Sequence, residues 1–173
     1  PTSLDTERKA RELGLALVSL ADVEHLDLTI DGADEVDPRF HLTKGGGGAL
    51  LREKIIAGAA KRFVVIADAS KHVAELGRFP LPVEIDRFAY GLTVKRVREA
   101  LAALKLPTRA NLRAARDRTP FLSDGGNYIL DCHCGLIPDP PKAAAFLSSV
   151  PGVVEHGLFI GIATKAIIAG PNG

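Results

Sequence analysis

Three short apolar segments in the first half of this chain each run into a burst of polar residues, and that repetition limits the fold more than any other feature. Residues 26–30 end in Asp31-Gly32-Ala33-Asp34-Glu35-Val36-Asp37, residues 40–43 in Lys44 and the run Gly45-Gly46-Gly47-Gly48, and residues 63–67 in Asp68-Ala69-Ser70-Lys71. Apolar runs this short, bounded by turn-forming residues, read as strands. Between the last two lies residues 49–62, rich in Ala, Leu, Ile and Lys, the strongest helix pattern in the chain. Strands alternating with helices imply an α/β layer on a parallel sheet, where ligands bind outside the carboxyl ends of the strands. The spacing therefore gathers the three polar clusters on one edge. The apolar segment 63–67 is expected to be covered on both faces.

Around this centre, residues 5–13 read as a charged helix stopped by Gly14, and residues 15–18 as a short strand. Phe79-Pro80-Leu81-Pro82 forms a stiff joint. Beyond it the pattern runs strand (83–85), helix (92–104), strand (108–114), strand (128–132), helix (141–150) and strand (153–156). Asp124-Gly125-Gly126-Asn127 supplies a hairpin turn, and Asp139-Pro140-Pro141 opens the second helix with proline near its start. This βαββαβ order is that of a ferredoxin-like unit. Residues 158–169 are apolar and strand-like and are expected to return to the first sheet. The predicted architecture is a Rossmann-like, mainly parallel sheet domain (1–80 and 157–173) with an inserted ferredoxin-like α+β domain (81–156).

Composition removes several function classes. The 173 residues carry 22 Lys+Arg against 21 Asp+Glu, a net charge of +1, so no general electrostatic attraction to nucleic acid or membrane is built in. Hydrophobic residues at 46% imply a packed core, and aromatics at 5% leave little surface for stacking bases. No run of ~18 apolar residues exists, and the polar start does not resemble a signal peptide, so a cytoplasmic location is expected. The chain contains no Met, which marks it as processed or cut from something longer. Cys132 and Cys134 flank His133, too close for an unstrained disulfide and without a second pair for zinc, so two reduced cysteines are expected. The basic residues Lys95, Arg96, Arg98, Lys105, Arg109, Arg113, Arg116 and Arg118 invite an RNA-binding reading. Tyr128 is the sole aromatic on the fourth strand of that unit, however, and a solvated helix face fits better.

Chemistry collects in the three clusters. Asp31 and Asp34 straddle a glycine turn. Two close carboxylates raise one another's pKa, which suits acid/base work, and a turn-capping role fits the same spacing equally well. Asp37-Pro38 begins the next turn. No His or regular oxygen-ligand spacing accompanies the acidic run, so no metal site is expected. Lys44 and its glycines lead into a helix, where backbone N–H groups and the helix dipole favour an anion, a phosphate or an enediolate oxygen. Glu53, in the first helical turn, falls on a wheel between Leu50 and the Ile56/Ala60 flank, with no same-face Lys to neutralise it. Burial would raise its pKa and the helix end would lower it, a balance suited to a general base. Lys71 is placed to hold an anion at the same edge.

These residues carry a resemblance. Asp31-Gly-Ala-Asp-Glu35, Lys44-Gly-Gly-Gly-Gly-Ala-Leu-Leu-Arg-Glu-Lys54, Ala67-Asp-Ala-Ser-Lys71, Phe79-Pro-Leu-Pro-Val-Glu84 and Pro151-Gly-Val-Val-Glu155 with Gly157-Leu-Phe159 are similar to the ribose-5-phosphate isomerases of the A type. The resemblance implies the two-domain architecture above, assembled as a homodimer or homotetramer. It implies interconversion of ribose 5-phosphate and ribulose 5-phosphate in the pentose phosphate pathway, without metal or organic cofactor. It makes Glu53 the proton acceptor, and places Asp31, Gly32, Ala33 and Asp34 on the sugar hydroxyls. Lys44 with Gly45, Gly46 and Gly47 becomes the loop that meets the enediolate, and Lys71 a further substrate contact. The family opens with a strand, a phosphate loop and a helix that have no counterpart before Pro1, which implies an incomplete phosphate site and reduced activity. The alternatives are another sugar-phosphate enzyme of this fold, such as an amino-sugar phosphate deaminase, or a phosphosugar-binding protein without chemistry.

Overall fold

Helix α1 (Leu4–Glu12) is written in its own charges. The Ser3 side chain accepts from the Thr6 N–H, Asp5 and Glu7 occupy the first turn, and Lys9 and Arg11 the last, all complementing the helix dipole. The structure is a computed structural model and describes residues 1–170; the last three residues of the expected first domain, 171–173, lie outside them. The expected strand at 15–18 does not form. Leu15 donates its N–H back to Ala10, Leu15 and Val18 are largely exposed, and among the described residues no strand pairs with them.

A three-stranded parallel sheet follows, in the order β1 (Thr29–Asp31), β4 (Phe63–Asp68), β10 (Lys165–Ala169). Helix α2 (Leu50–Gly58) makes the crossover from the first of these strands to the second. It is shorter than its sequence pattern because Ala60 bridges to Leu26 and Lys61 donates to the Leu26 carbonyl, so residues 60–61 extend the sheet instead. β4 is not covered on both faces: Phe63 and Val65 are buried whereas Ile66 is half-exposed. Exposed Ile30 and Ile167 share that open face by register, Ile30 opposite Val64 and Ile167 opposite Ile66.

A second small antiparallel sheet was not anticipated. It joins β2 (Glu35–Val36), β3 (Leu42–Thr43) and β9 (Leu158–Phe159). Phe40, expected to start the strand, belongs instead to a tight turn with positive φ, closed by its N–H to the Asp37 carbonyl. The Asp37 carboxylate holds this turn, accepting from the N–H groups of Arg39 and His41. The segment read as one strand over 158–169 is thus two, and only its second part returns to the parallel sheet.

The third sheet has the order β6 (Ala110–Leu112), β7 (Tyr128–Cys132), β5 (Leu81–Ile85), β8 (Val153–His156), all antiparallel neighbours. With α3 (Tyr90–Ala103) between its first two strands in chain order and α4 (Pro140–Ser148) between its last two, this is the ferredoxin-like arrangement. Asp139 caps α4 by accepting from the Lys142 N–H, with Pro140 at its start. Val97 and Leu101 of α3 and Ala143 and Leu147 of α4 pack on Val83, Ile85, Leu130 and Cys132 to make the larger core. Val36, Leu42, Ala57, Phe63, Val65 and Phe159 make the smaller one. Gly157 joins the sheets: its N–H donates to the Pro82 carbonyl and its own carbonyl accepts from the Lys44 N–H, both at 2.8 Å. Among the described residues no helix is long and apolar enough to cross a membrane.

Candidate active site

The crevice is assembled by three chain segments that sequence spacing had placed on one parallel-sheet edge. Only two of them follow parallel strands. Asp31 is the last residue of β1, and Lys71 sits in a short 3-10 turn (Ala69–Lys71) after β4. The third, Lys44, follows β3 of the small antiparallel sheet, yet that sheet carries it back to the end of β1.

Lys44 is the hub. Its side chain is 4% exposed, and its Nζ donates to the Gly32 carbonyl at 2.5 Å, lies 3.1 Å from Asp31 Oδ2 and 3.5 Å from Glu53 Oε2, and stands 5.6 Å from the Phe159 ring centre. A buried ammonium is tolerable only with such partners. The expectation that no lysine neutralises Glu53 holds for its own helix and fails in three dimensions, because Lys44 arrives from another element. At 3.5 Å the contact is an ion pair longer than a good hydrogen bond, and among the described residues Glu53 Oε2 is buried without a hydrogen-bond donor. Burial lifts the Glu53 carboxyl above the usual glutamate value; Lys44 pulls it down, and Asp31 and Asp34 add to the rise. This is a carboxylate whose proton is held within easier reach of neutral pH.

The glycine run has its shape for stated reasons. Gly45 and Gly48 adopt positive φ (102° and 87°), and the Gly48 N–H closes a turn on the Gly45 carbonyl at 2.9 Å. The Gly46 N–H donates to Asp34 Oδ2 at 2.8 Å, so Asp34 does hold a turn, that of the glycine loop. No side chain caps α2, which begins directly after the loop. Asp31 Oδ1 accepts from the Gly32 N–H, and Ala33 packs on the smaller core. A cavity of about 240 Å³ is lined by Asp34, Ser70, Lys71, Arg78 and Phe79, which brings Lys71 beside Asp34. Asp31, Lys44 and Glu53 thus meet at one point, Asp34 joins them through the glycine loop, and Lys71 shares a cavity with Asp34. No cluster of three or more His, Cys, Asp or Glu side chains is placed to hold a metal ion among the described residues.

Sequence reasoning missed the supports. Glu35 is buried beneath the crevice and accepts from Thr43 Oγ1 and from the N–H groups of Gly77 and Phe79. Lys54, next to Glu53, donates to Glu155 Oε1 and to the His156 carbonyl, each at 2.6 Å, pinning α2 to β8. Arg113 and Arg98 of the basic stretch are engaged inside the chain, Arg98 on the Ala110 carbonyl. The sequence signal for these was cross-strand register, which a single chain does not display.

A parallel-sheet unit, a ferredoxin-like unit, and a carboxylate–ammonium crevice at their junction define an α/β protein built for proton transfer on a polar small molecule. The family model for ribose 5-phosphate isomerase A (phosphoriboisomerase A) matches residues 1–173. A ribose-5-phosphate isomerase A of Brucella suis is 56% identical over 173 residues, all of this chain and 74% of the relative. The structure is similar to that of ribose 5-phosphate isomerase from Plasmodium falciparum, with a TM-score of 0.92 and 36% identity over 100% of this chain and 74% of that one. A D-ribose-5-phosphate isomerase in complex with phospho-erythronic acid matches with a TM-score of 0.91 and 35% identity, over 100% of this chain and 74% of that one. The chain belongs to the ribose 5-phosphate isomerase A family.

Proposed function

We propose that this chain interconverts D-ribose 5-phosphate and D-ribulose 5-phosphate, with Glu53 as the proton carrier. The observation that carries the assignment is the Lys44 ammonium, buried between the carboxylates of Asp31 and Glu53. Glu53 takes the proton from C2 of the open-chain aldose. The C2–H electron pair becomes the C1–C2 double bond, and the carbonyl oxygen at C1 becomes the enediolate oxygen. A proton passes from the C2 hydroxyl to the C1 oxygen, and Glu53 returns its proton to C1, leaving the carbonyl at C2. Lys44 is the fixed cation that meets the developing oxyanion. Asp31 and Asp34, with Gly32 and Ala33 between them, hold the sugar hydroxyls and assist ring opening. Gly45, Gly46, Gly47 and Lys71 complete the binding wall.

The same reading divides the chain into a Rossmann-like domain (1–80 and 157–173) and a ferredoxin-like domain (81–156), which the order of the four-stranded sheet supports. It takes the enzyme as a cytoplasmic homodimer or homotetramer, which light scattering on the purified chain reads directly. The deciding experiment is ribulose 5-phosphate formation by this chain, chelator present, beside Glu53→Gln. Turnover that vanishes in the variant supports the assignment. A variant as active as its parent removes Glu53 from the chemistry, and a silent parent chain that still binds phospho-erythronic acid leaves a phosphosugar-binding protein.

A further inference from the structure

Arg113 leaves the ferredoxin-like sheet just beyond β6 and reaches the glycine loop on the other unit. Its Nη1 donates to the carbonyls of Gly45 and Gly46 at 2.9 and 3.0 Å. Its Nε and Nη2 grip Asp131 of β7 at 3.0 and 2.5 Å, and the guanidinium lies 5.8 Å from the Phe121 ring centre. The Arg113 side chain is largely buried, so the fork is held in one geometry. We propose that Arg113, fixed by Asp131, is a positioning residue that sets the direction of the loop's amide donors toward the crevice.

The reasoning is planar geometry. In a trans peptide the C=O and the following N–H point in opposite directions. Turning the Gly45 carbonyl to Arg113 turns the Gly46 N–H away from it, and that N–H is found on Asp34 Oδ2. Turning the Gly46 carbonyl to the same guanidinium likewise turns the Gly47 N–H toward the Asp34 side. Among the described residues the Gly47 N–H donates to no protein group, and a Cβ added at Gly47 would meet nothing within 4 Å. The loop is hemmed elsewhere: a Cβ at Gly46 would collide with Asp34 and Phe79, and one at Gly48 with Phe121. The unpaired Gly47 donor thus belongs to the one residue of the clamped glycine run with open space around its Cα, which leaves room for a substrate oxygen as its partner. Lysine cannot substitute, since one ammonium does not span Asp131 and two carbonyls.

This inference deepens the isomerase reading and rests on it for the substrate; the loop geometry is tested without it. Kinetics on Arg113→Ala, Arg113→Lys and Asp131→Asn are read together with thermal midpoints and amide hydrogen exchange over residues 44–49. Arg113→Ala is expected to lower kcat about 10²-fold with a smaller change in KM, and ethylguanidinium, not ethylammonium, restores part of it. Exchange at the Gly46 amide accelerates in the same variant. Arg113→Lys and Asp131→Asn, should Arg113→Ala fail to fold, lose kcat at an unchanged thermal midpoint. Exchange at Gly46 equal to the parent's, kcat/KM equal to the parent's, or a loss that follows unfolding without guanidinium rescue overturns the proposal. A parent chain without turnover sinks the isomerase reading alone, and the Gly46 exchange then decides the positioning role by itself.

Discussion

The four-stranded and the parallel three-stranded sheets are built from similar residues and buried to different degrees. Every residue of β5 is buried, including Glu84, whose carboxylate accepts from Ser123 Oγ and Asn127 Nδ2. In the parallel sheet alternate residues reach solvent, and Ile30, Ile66 and Ile167 lie about half-exposed on one face. The proposed chemistry sits at the end of the less covered sheet, yet its parts are pinned to the better covered one: the loop through Arg113, the helix of Glu53 through Lys54, the backbone of Lys44 through Gly157. The packed sheet supplies rigidity, and the open one supplies access.

The largest effect that tests this division is at Glu53. Glu53→Gln is expected to lower kcat by roughly 10²–10⁴-fold while leaving the fold intact. Burial raises this carboxyl in the native state, so its ionised form is a strain on the fold that grows as pH rises through the glutamate range. The variant is therefore more stable than its parent at pH 7 by a larger margin than at pH 4, which urea titration at the two pH values measures. Equal margins would mean that Lys44 already offsets the burial.

Next comes the packing itself. Leu101→Ala, fully buried under the four-stranded sheet, is expected to cost about 2–5 kcal/mol, and Ile167→Ala on the open face about 0.5 kcal/mol. A large cost at Ile167 would show that this face is covered in solution and would break the contrast.

The third effect depends on pH. His156 is buried in β8, its Nδ1 accepting from the Leu158 N–H and its Nε2 3.1 Å from Ser148 Oγ. Burial, then the Lys54 ammonium, push its imidazole down to about 4 from 6.5, against the pull of Glu155. Between those values the unfolded chain binds more protons than the native one, so acidification from pH 6.5 to 4 removes up to roughly 3 kcal/mol. His156→Gln is expected to flatten that part of the stability–pH curve; an unaltered slope would place the titration elsewhere. The smallest effect concerns the thiols. Burial lifts Cys132 well above the ordinary range and Cys134 up to about 12. Neither is expected to react with a thiol reagent until denaturant is added, and a fast-reacting thiol in the native protein would mean that the ferredoxin-like core opens locally.

Much of this was legible beforehand because it was local. The ferredoxin-like order followed from turn residues and apolar periods, and α1, β7 and β8 fall where Gly14, Asn127 and Gly152 punctuate them. Spacing puts Asp31 and Lys44 on one edge, but by a parallel strand that does not exist: Lys44 reaches Asp31 through a small sheet that two-residue strands do not announce. Residues 15–18 look like a strand in composition but pair with no strand among the described residues, and pairing is not a local property. Arg113 read as one solvated cation among eight, because its worth lies in a contact with Gly45 some 68 positions away.

Gly157 bears on how firmly the ammonium is seated. Its backbone bridges the Lys44 strand end to Pro82 with no side chain as spacer; even a methyl group there would overlap the Lys44 carbonyl and the proline ring. Sliding of the Lys44 strand past Gly157 would break the 2.8 Å bond from the Lys44 N–H to the Gly157 carbonyl. The opposite wall is different: the turn Ala69–Lys71 exposes Ala69 and Ser70 and is tethered at its start by the Asp68 carboxylate on the Ser70 N–H. The backbone behind the ammonium is thus bonded into two sheets at once, whereas the β4 side of the crevice ends in a short surface turn.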